Sequence, residues 1–420
     1  MAKWLEKTLG EVTAFIAKGI PPKYTEKENE NTIRVLNQKC NRNFEISYSE
    51  SRIHDCEKKK VPVDKMLRVG DVLINSTGTG TAGRVAQMVE VTVPTTIDGH
   101  MILIRPSEEL DPIYYGYAVK SFQSQIEGLA EGSTGQTEIN RRRLQDEVII
   151  RYPSDKLVQK NIGSFLANID EKIKTNKEIN KNLEQQAVLL FKKWFIQFDN
   201  SSKNMLETRL GLIPESFKLL KNGELPLVVT DYVANGSFAS LKANVTLYQE
   251  PNYAYFIRNT DLKSGTFEVF VDEHSYNFLS KSTLYGGEII ISNVGDVGSV
   301  FLCPKLDKPM TLGNNIIMLR SEQENLRYYL YIWFKWLYGQ SLIQGIKGGS
   351  AQPKFNKTDF KNLPIFLPPD DLLEQFHQIV KPMFELIDEN NAENKALTIT
   401  RDTLLPRLMS GELDVSGIDL

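Results

Sequence analysis

The chain of 420 residues is poor in the side chains that build metal sites and disulfide frameworks. Its three cysteines, Cys40, Cys56 and Cys303, lie far apart and form no CxxC pair. Its four histidines occur in no HxxxH or HExxH spacing. These absences argue against a cysteine zinc site, a disulfide framework and a metal-dependent hydrolase, and they favour a reducing compartment.

Long hydrophobic runs and a strong charge of one sign are also missing. No segment approaches the ~20 apolar residues of a membrane span, and the first residues lack the apolar core of a signal peptide. Lysine and arginine total 50 against 53 aspartates and glutamates, which argues against a nonspecific DNA-coating protein. Because binding depends on where charges lie, a local basic groove is still compatible with this balance. We therefore expect a cytoplasmic protein.

Two short motifs suggest catalysis, but the other motifs of the corresponding enzyme families are missing from this sequence. Residues 78–83 fit GxGxxG, but no HRD or DFG sequence follows them, and the corresponding loop at residues 295–298 lacks the pattern. Residues 111–114 (DPIY) approximate the DPPY motif of amino-methyltransferases, without a glycine-rich cofactor motif before them. We interpret the first as a turn that approaches another backbone and the second as a helix start. We predict no catalytic residue and no bound cofactor or metal in this chain.

What the sequence does contain is an internal repeat. Residues 70–75 (GDVLIN) match residues 287–292 (GEIIIS), an offset of 287−70 = 217. Gln136 and Asn140 match Gln352 and Asn356, an offset of 352−136 = 216. Matches in one order at a slowly drifting offset indicate a duplicated unit that acts on two targets.

Each copy consists of a mixed segment and then a long helix. Strands are predicted in the first copy at residues 61–63, 72–75, 85–93, 101–105 and 147–151, with a helix at 114–126. In the second copy they are predicted at residues 228–229, 267–271, 289–292 and 316–320, with a helix at 326–343. The predicted fold class is α+β, with two duplicated α/β globules separated by two long helices. The predicted segments are residues 1–152 (first globule), 153–198 (first long helix), 199–211 (linker), 212–366 (second globule), 367–412 (second long helix) and 413–420 (tail).

The two long helices carry a coiled-coil seam with polar interruptions. Apolar residues of the first helix recur in alternating steps of four and three at Ile162, Leu166, Ile169, Ile173, Leu183, Ala187, Leu190 and Trp194. Asn176 and Asn180 interrupt this seam, and Asn390 and Asn394 interrupt the second helix 214 residues later (390−176 = 214). We predict that the helices pair as an antiparallel coiled coil and that the asparagines form a shared polar layer that fixes register.

Two loops in each copy carry side chains that suit contacts with DNA bases and phosphates. The glycine-rich loop supplies Asn75, Ser76, Thr77, Thr79 and Arg84 in the first copy and Ser292, Asn293 and Asp296 in the second. A later segment supplies Ser133, Thr134, Gln136, Asn140, Arg141, Arg142 and Arg143 in the first copy, and Lys347, Ser350, Gln352, Lys354, Asn356 and Lys357 in the second. We predict DNA contacts from these residues. The alternatives are a solvated surface turn for any single residue and a turn-capping role for the two asparagines of the repeat.

The chain resembles the specificity subunit of type I restriction-modification systems over nearly its whole length. The resemblance rests on a combination of motifs, namely residues 9–12 (LGEV), 70–73 (GDVL), 132–140, 191–195 (FKKWF), 211–217 (GLIPESF) and 404–411 (LLPRLMSG). Phe217 stands where tryptophan is common in the family.

The resemblance implies two target-recognition domains, each reading one half of a bipartite site in double-stranded DNA, with the helix pair setting the spacer. It also implies docking of two methyltransferase subunits and then of restriction subunits, in a complex that modifies adenine. S-adenosylmethionine, ATP and Mg would belong to those partners. We therefore predict a noncatalytic DNA-specificity subunit. The alternatives are a coiled-coil scaffold without DNA binding and a nucleotide-binding enzyme that uses residues 78–83.

Overall fold

The chain divides into two compact units. In this computed structural model the described residues are 3–132, 137–199, 204–208, 210–349 and 352–413. Unit 1 comprises residues 1–176 and 392–420, and unit 2 comprises residues 177–391. Each unit therefore contains one globule and a part of both long helices.

Unit 1 is built from short strands, short helices and the long helix with which the first copy ends. Its strands are Trp4–Thr8 (β1), Thr13–Lys18 (β2), Tyr24–Thr25 (β3), Thr32–Leu36 (β4), Asn41–Arg42 (β5), Glu45–Ile46 (β6), Arg52–Asp55 (β7), Val72–Asn75 (β8), Val85–Gln87 (β9), Thr95–Ile97 (β10), Met101–Pro106 (β11), Ala130–Glu131 (β12), Glu138–Ile139 (β13) and Ile149–Pro153 (β14). Its helices are Pro112–Ser121 (α1), Gln123–Gly128 (α2), Arg141–Glu147 (α3) and the first part of Lys156–Phe195 (α4).

Unit 2 repeats this plan. Its strands are Met205–Thr208 (β15), Gly211–Pro214 (β16), Lys218–Lys221 (β17), Leu227–Asp231 (β18), Leu247–Tyr248 (β19), Ala254–Ile257 (β20), Phe270–Val271 (β21), Thr283–Leu284 (β22), Ile289–Ser292 (β23), Val300–Leu302 (β24), Met310–Leu312 (β25), Ile316–Ser321 (β26) and Pro364–Leu367 (β27). Its helices are Phe238–Asn244 (α5), Asn259–Ser264 (α6), Glu273–Phe278 (α7), Asn325–Lys335 (α8), Leu337–Gly345 (α9), Lys357–Asn362 (α10) and the first part of Asp370–Met409 (α11).

The sheets confirm the internal repeat. The antiparallel sheet β2-β11-β8-β9 of unit 1 corresponds to β18-β26-β23-β24 of unit 2. Each unit also has a mixed sheet with one parallel pair, β10 with β4 in unit 1 and β25 with β20 in unit 2. A strand before the long helix pairs antiparallel with an early strand in both units, β1 with β14 and β17 with β27. The fold is thus a duplicated α+β arrangement, as the sequence predicts.

The central strands lie where the apolar runs are unbroken. All four residues of β8 and all four residues of β23 are buried, because each strand has a neighbour on both sides and side chains packed on both faces. Helix α1 packs on its sheet with a nearly continuous buried stretch, and α8 does the same in unit 2. Asp111 caps α1 by accepting the N–H groups of Ile113 and Tyr114, and Pro112 occupies the first turn. The prediction of a helix start there is confirmed.

The long helices pair antiparallel within each unit through the predicted seam. In unit 1, Asn176 donates to the Asn394 side chain at 3.0 Å. In unit 2, Asn390 donates to Asn180 at 2.8 Å, and Asn180 donates to Asn391 at 3.0 Å. The polar layer is therefore confirmed, and its amide-to-amide bonds pair the side-chain N–H groups of Asn176, Asn180 and Asn390, which are costly to bury unpaired.

Several predicted elements differ from the structure. Residues 61–63 form no strand, and a single 3-10 turn begins at Val63. The predicted strand 85–93 ends at Gln87, and the predicted strand 267–271 is confined to Phe270–Val271. The predicted helices 114–126 and 326–343 are each broken, at Phe122 and at Trp336. Local propensity predicted continuous elements there, and tertiary packing favours the breaks.

Candidate nucleic-acid interface

The two loop segments predicted to contact DNA lie side by side in each unit. In unit 1, Ile139 N–H donates to the Ser76 carbonyl at 2.7 Å, and Gly78 N–H donates to the Thr137 carbonyl at 3.2 Å. In unit 2, Phe355 N–H donates to the Asn293 carbonyl at 3.0 Å, and Gly295 N–H donates to the Pro353 carbonyl at 2.8 Å. The same two backbone hydrogen bonds recur at repeat-equivalent positions. Each unit thus has one composite surface, which we call the paired-loop surface.

The glycines of the loop permit close packing rather than form a phosphate cradle. Gly83 has φ = +88°, and a Cβ atom there would lie 2.6 Å from the Glu127 Cα atom. Its repeat equivalent Gly298 has φ = +98°, and its Cβ would meet the Gln340 side chain at 2.9 Å. Only glycine adopts this conformation at so short a distance. The interpretation of this turn as a close backbone approach is confirmed for Gly83.

Three of the predicted contact residues are buried inside the fold. Asn75, Ser76 and Ser292 are fully buried. The Asn75 side chain accepts from Asn41 at 3.2 Å and donates to the Gln38 carbonyl at 3.2 Å. The exposed position expected for these three side chains is therefore wrong, because they hold the base of the loop instead of its outer face.

The two asparagines of the repeat act as helix caps. The Asn140 side chain accepts the N–H groups of Arg142 and Arg143 at the start of α3. The Asn356 side chain accepts the Asp359 N–H at 2.8 Å at the start of α10. Both asparagines are exposed, but their side-chain oxygens are engaged by the backbone. The recurring pattern is therefore explained by capping, the structural alternative that the sequence left open.

The arginine run of α3 is only partly available to a ligand. Arg143 forms ion pairs with Glu131 and Glu147, and these hydrogen bonds raise its pKa. Arg142 lies 3.7 Å from Asp146, yet its side chain is 91% exposed. Arg141 is also exposed. Arg141 and Arg142 are thus the cations that this surface can offer to a phosphate.

The remaining first-copy residues form the rim of the loop. Thr79 is exposed, whereas Thr77 and Arg84 are half-buried. The Thr77 hydroxyl accepts from the Gln38 side chain at 2.8 Å and lies 3.0 Å from His100 Nδ1. Arg84 donates to the Gly80 carbonyl at 2.9 Å, which stiffens the turn.

The second copy presents a different set of side chains at the same place. Gln352, Lys354 and Lys347 are exposed. Asn293 is half-buried and donates to the Phe355 carbonyl at 3.3 Å. Four further residues predicted to contact DNA lie outside the described part of the chain. They are Ser133, Thr134 and Gln136 of the first copy and Ser350 of the second.

Two other polar residues of this loop region in unit 2 are held by ion pairs. Asp296 binds Lys263 at 2.6 Å and accepts from Ser299 at 2.5 Å, and these hydrogen bonds lower its pKa. Lys357 binds Asp231 at 2.8 Å. Their charges are therefore largely neutralised within the unit.

Sequence reasoning missed a third segment that braces this surface. Gln38 follows β4 and bonds both Thr77 and Thr81, and Lys263 of α6, the helix that follows β20, binds Asp296. Both segments follow the strand that forms the parallel pair of the mixed sheet. Matching the two copies of the repeat could not reveal these segments, because they differ in length and in residue type.

An ion pair with a buried carboxylate, at the start of the strand that leads into each loop, was also missed. Asp71 binds Arg105 at 2.7 Å, and Glu288 binds Arg320 at 3.3 Å. Both carboxylates also accept backbone N–H groups, from Arg68 in unit 1 and from Tyr285 in unit 2. The arginines stand at the end of two equivalent strands, an offset of 320−105 = 215, and that position could have revealed the pair.

No helix among the described residues is long and apolar enough to cross a membrane. In the same part of the chain, no group of three or more histidine, cysteine, aspartate or glutamate side chains is arranged to hold a metal ion.

Two segments of the chain match one protein-family model. The model described as Type I restriction modification DNA specificity domain matches residues 1–185 and 229–400. The chain belongs to this family. The two matched segments correspond to the two copies of the repeat.

Curated relatives agree with this assignment. The chain is 28% identical over 313 residues to the Type I restriction enzyme MjaIX specificity subunit of Methanocaldococcus jannaschii, covering 73% of this chain and 69% of that protein. It is 25% identical over 319 residues to the Type I restriction enzyme HindI specificity subunit of Haemophilus influenzae, covering 62% of this chain and 68% of that protein.

A solved structure shares the fold. The crystal structure of the S subunit of a type I restriction-modification system from M. genitalium aligns with a TM-score of 0.57 at 19% identity. The alignment covers 97% of this chain and 96% of that one. The duplicated α+β architecture of this specificity subunit is therefore shared with a solved family member.

Proposed function

We propose that each paired-loop surface reads one half of a bipartite DNA site. The observation that supports this most directly is the recurrence of the same two loop-pairing hydrogen bonds in both units with different exposed side chains. A common scaffold with different outer residues is what reading two different half-sites requires. Unit 1 offers Thr79, Arg141 and Arg142, and unit 2 offers Lys347, Gln352 and Lys354.

These side chains suit the two kinds of contact that DNA recognition needs. Arginine and lysine pair with phosphates, and glutamine and arginine also form bidentate hydrogen bonds with base edges in the major groove. The ion pairs Asp71–Arg105 and Glu288–Arg320 anchor the start of the strand that leads into each loop, and the loop-pairing hydrogen bonds hold the loop itself. A preformed loop loses less conformational entropy when it binds.

We propose further that the chain is noncatalytic and acts within a larger complex. It would bind two methyltransferase subunits and then restriction subunits, while the two long helices set the number of base pairs between the half-sites. S-adenosylmethionine, ATP and Mg would be bound by those partners, and adenine would be the methylated base. The cytoplasm suits this role, because the DNA is there and all three cysteines are free thiols.

Neither alternative function is favoured by a specific observation. A nucleotide site at residues 78–83 is opposed by the packing of Gly83 on Glu127 and of Gly78 on the Gln38 side chain. A scaffold without DNA binding would need no exposed cations beside a duplicated loop.

Methylome sequencing of a host with and without the gene tests the proposal. We expect a methylated site of two short specific halves separated by a spacer of undefined sequence, present only with the gene. A continuous site, or an unchanged methylome in a host that expresses the partner subunits, would contradict it. Purified chain, verified free of modification subunit, is expected to transfer no methyl group and to cleave no DNA.

A further inference from the structure

The hairpin β5–β6 of unit 1 inserts an aromatic side chain into the globule. The turn residues Asn43 and Phe44 have φ angles of +53° and +63°, which a bulky residue rarely adopts. The Phe44 ring lies 5.2 Å from the Tyr117 ring of α1, and its backbone bridges to Ala86 in β9. Packing of the ring offsets the cost of this backbone conformation.

Phe44 covers a buried lysine. Lys120 Nζ lies 4.1 Å from the centroid of the Phe44 ring, and the Lys120 side chain is only 13% exposed. Beneath the lysine, Asp170 of α4 accepts from Tyr117 at 2.6 Å and pairs with Arg401 of α11. The hairpin thus closes a recess formed by α1, β9 and the two long helices within unit 1.

Unit 2 contains the equivalent recess. Tyr114 donates to the Arg151 carbonyl in unit 1, and Tyr329 donates to the Phe366 carbonyl in unit 2, an offset of 215 at both ends (329−114 and 366−151). The same offset relates Lys120 to Lys335 (335−120 = 215). Helices α1 and α8 are therefore equivalent residue by residue, and so are the two lysines.

The recess of unit 2 is open. It is a cleft of about 850 Å³, and its lining includes Phe301, Tyr331, Lys335, Phe384 and Asp388. The Lys335 side chain is 42% exposed, against 13% for Lys120. In unit 1, the hairpin β5–β6 follows the strand β4. In unit 2, the short helix α6 follows the equivalent strand β20. Phe301 replaces Ala86 and adds an aromatic wall, but the cleft stays open.

We propose that this cleft is a docking site for a turn of a partner protein that inserts an aromatic side chain followed by a carboxylate. The occupant of the equivalent recess has this chemistry, because Glu45 follows Phe44 and acts electrostatically on Lys120. Three lysines line the cleft: Lys335 pairs with Glu184 at 2.5 Å and Lys263 pairs with Asp296 at 2.6 Å, so an incoming carboxylate would meet Lys181 and the exposed part of Lys335. The aromatic walls of the cleft suit edge-to-face contact with an incoming ring.

This inference does not depend on DNA recognition. A nucleobase is the competing occupant, because bases also stack on aromatic side chains beside cations. The protein occupant is favoured because a protein turn fills the same recess in the other copy.

A peptide experiment tests the chemistry of the cleft in the full chain. The probe is a fluorescent cyclic peptide with the sequence of residues 41–46, and its matched control carries Phe44→Ala. We expect saturable binding of the probe, and binding at least about tenfold weaker for the control peptide and for the chain variant Lys335→Glu. The chain variant Lys242→Glu, which changes an exposed lysine of unit 2 that is neither part of the cleft lining nor a proposed DNA contact, is expected to bind like the wild type. Equal binding of both peptides, or binding unaffected by Lys335→Glu, would overturn the proposal.

A second experiment identifies the natural occupant. A photo-crosslinking amino acid replaces Lys181 on the cleft rim, and the complex is reconstituted with the modification and restriction subunits of the same system and with DNA. We expect crosslinks to a turn of one protein subunit that contains an aromatic residue. Crosslinks to DNA alone, or none in a fully assembled and active complex, would show that no protein turn occupies the cleft.

Discussion

The two asparagine caps show how single residues position the arginines of the paired-loop surface. The Asn140 side chain holds the first turn of α3 by accepting hydrogen bonds from two backbone N–H groups. The exposed Arg141 and Arg142 are the first two residues of this helix. Replacing such a cap by alanine typically costs ~1 kcal/mol of stability. The repeated asparagines therefore fix the backbone that carries the residues proposed to contact DNA.

Arg141 and Arg142 are expected to contribute most of the phosphate contacts of α3. The double variant Arg141→Ala/Arg142→Ala should weaken DNA binding by the assembled complex and reduce the log-affinity versus log-salt slope by roughly 0.9 for each lost contact. Arg143→Ala is the matched control and should change the slope less, because Arg143 is paired with Glu131 and Glu147. Salt titrations of binding to one fixed site measure both. An unchanged slope in the double variant would place α3 away from the DNA.

Lys120 is expected to make the stability of unit 1 depend on pH. Burial lowers the pKa of its ammonium group to about 8, from 10.5 in the unfolded chain, although Asp170 opposes the shift. Between these values the unfolded state binds more protons, so this residue's contribution to stability rises from pH 8 towards pH 10.5 and is constant below. Lys120→Met should therefore stabilise the protein at pH 7, by up to about 3 kcal/mol.

Urea denaturation at pH 7 and pH 10 measures this difference. The gain from Lys120→Met should shrink at the higher pH, because Lys120 loses its proton in the folded state within this interval. The same gain at both pH values would mean that folding does not lower the pKa of Lys120.

At the scale of the element, the asparagine layer divides each long helix at the boundary of the two units. The Asn176–Asn394 pair belongs to unit 1, and the Asn180–Asn390 pair belongs to unit 2. Hydrogen bonds between seam asparagines tolerate one register only. Any change in helix length must therefore preserve both pairs.

Lengthening both helices between these pairs is expected to lengthen the DNA spacer. Four residues inserted after Asn176 and four after Asn391 add about 6 Å of rise and about 40° of rotation. One base pair of DNA adds about 3.4 Å and about 34°. The preferred spacer should grow by one or two base pairs, while both half-sites stay the same.

Selection from a library with randomised spacers measures the preferred length. The matched control inserts four residues in the first helix alone, which breaks the asparagine register and should abolish specific binding. An unchanged spacer in an active variant with both insertions would show that the helices do not set the distance.

At the scale of the whole molecule, the duplication predicts modular specificity. Each unit has its own core and its own paired-loop surface. Exchanging residues 212–366 for those of a relative should therefore change one half-site and leave the other unchanged. The methylated sites of the wild-type and exchanged systems, determined side by side, test this. A change in both half-sites would contradict recognition of one half-site by each unit.

The sequence by itself determined the elements whose burial follows a local period. The seam of α4, the asparagine layer, the unbroken apolar strands β8 and β23 and the repeat offset could all be read from spacing, because side-chain direction along one helix or strand follows from its geometry. The loop residues of the candidate site could be chosen by chemistry, but not sorted into buried and exposed ones.

Only the tertiary structure decided which loop residues are buried and which are exposed. Asn75 and Ser292 have the chemistry of base-reading residues, yet the chain folds over them, while Arg142 stays exposed and Arg143 meets Glu131. The Asp71–Arg105 pair and the covering of Lys120 by Phe44 likewise join segments far apart in sequence. Such contacts carry no periodic signal, because the free energy that selects them comes from packing in three dimensions.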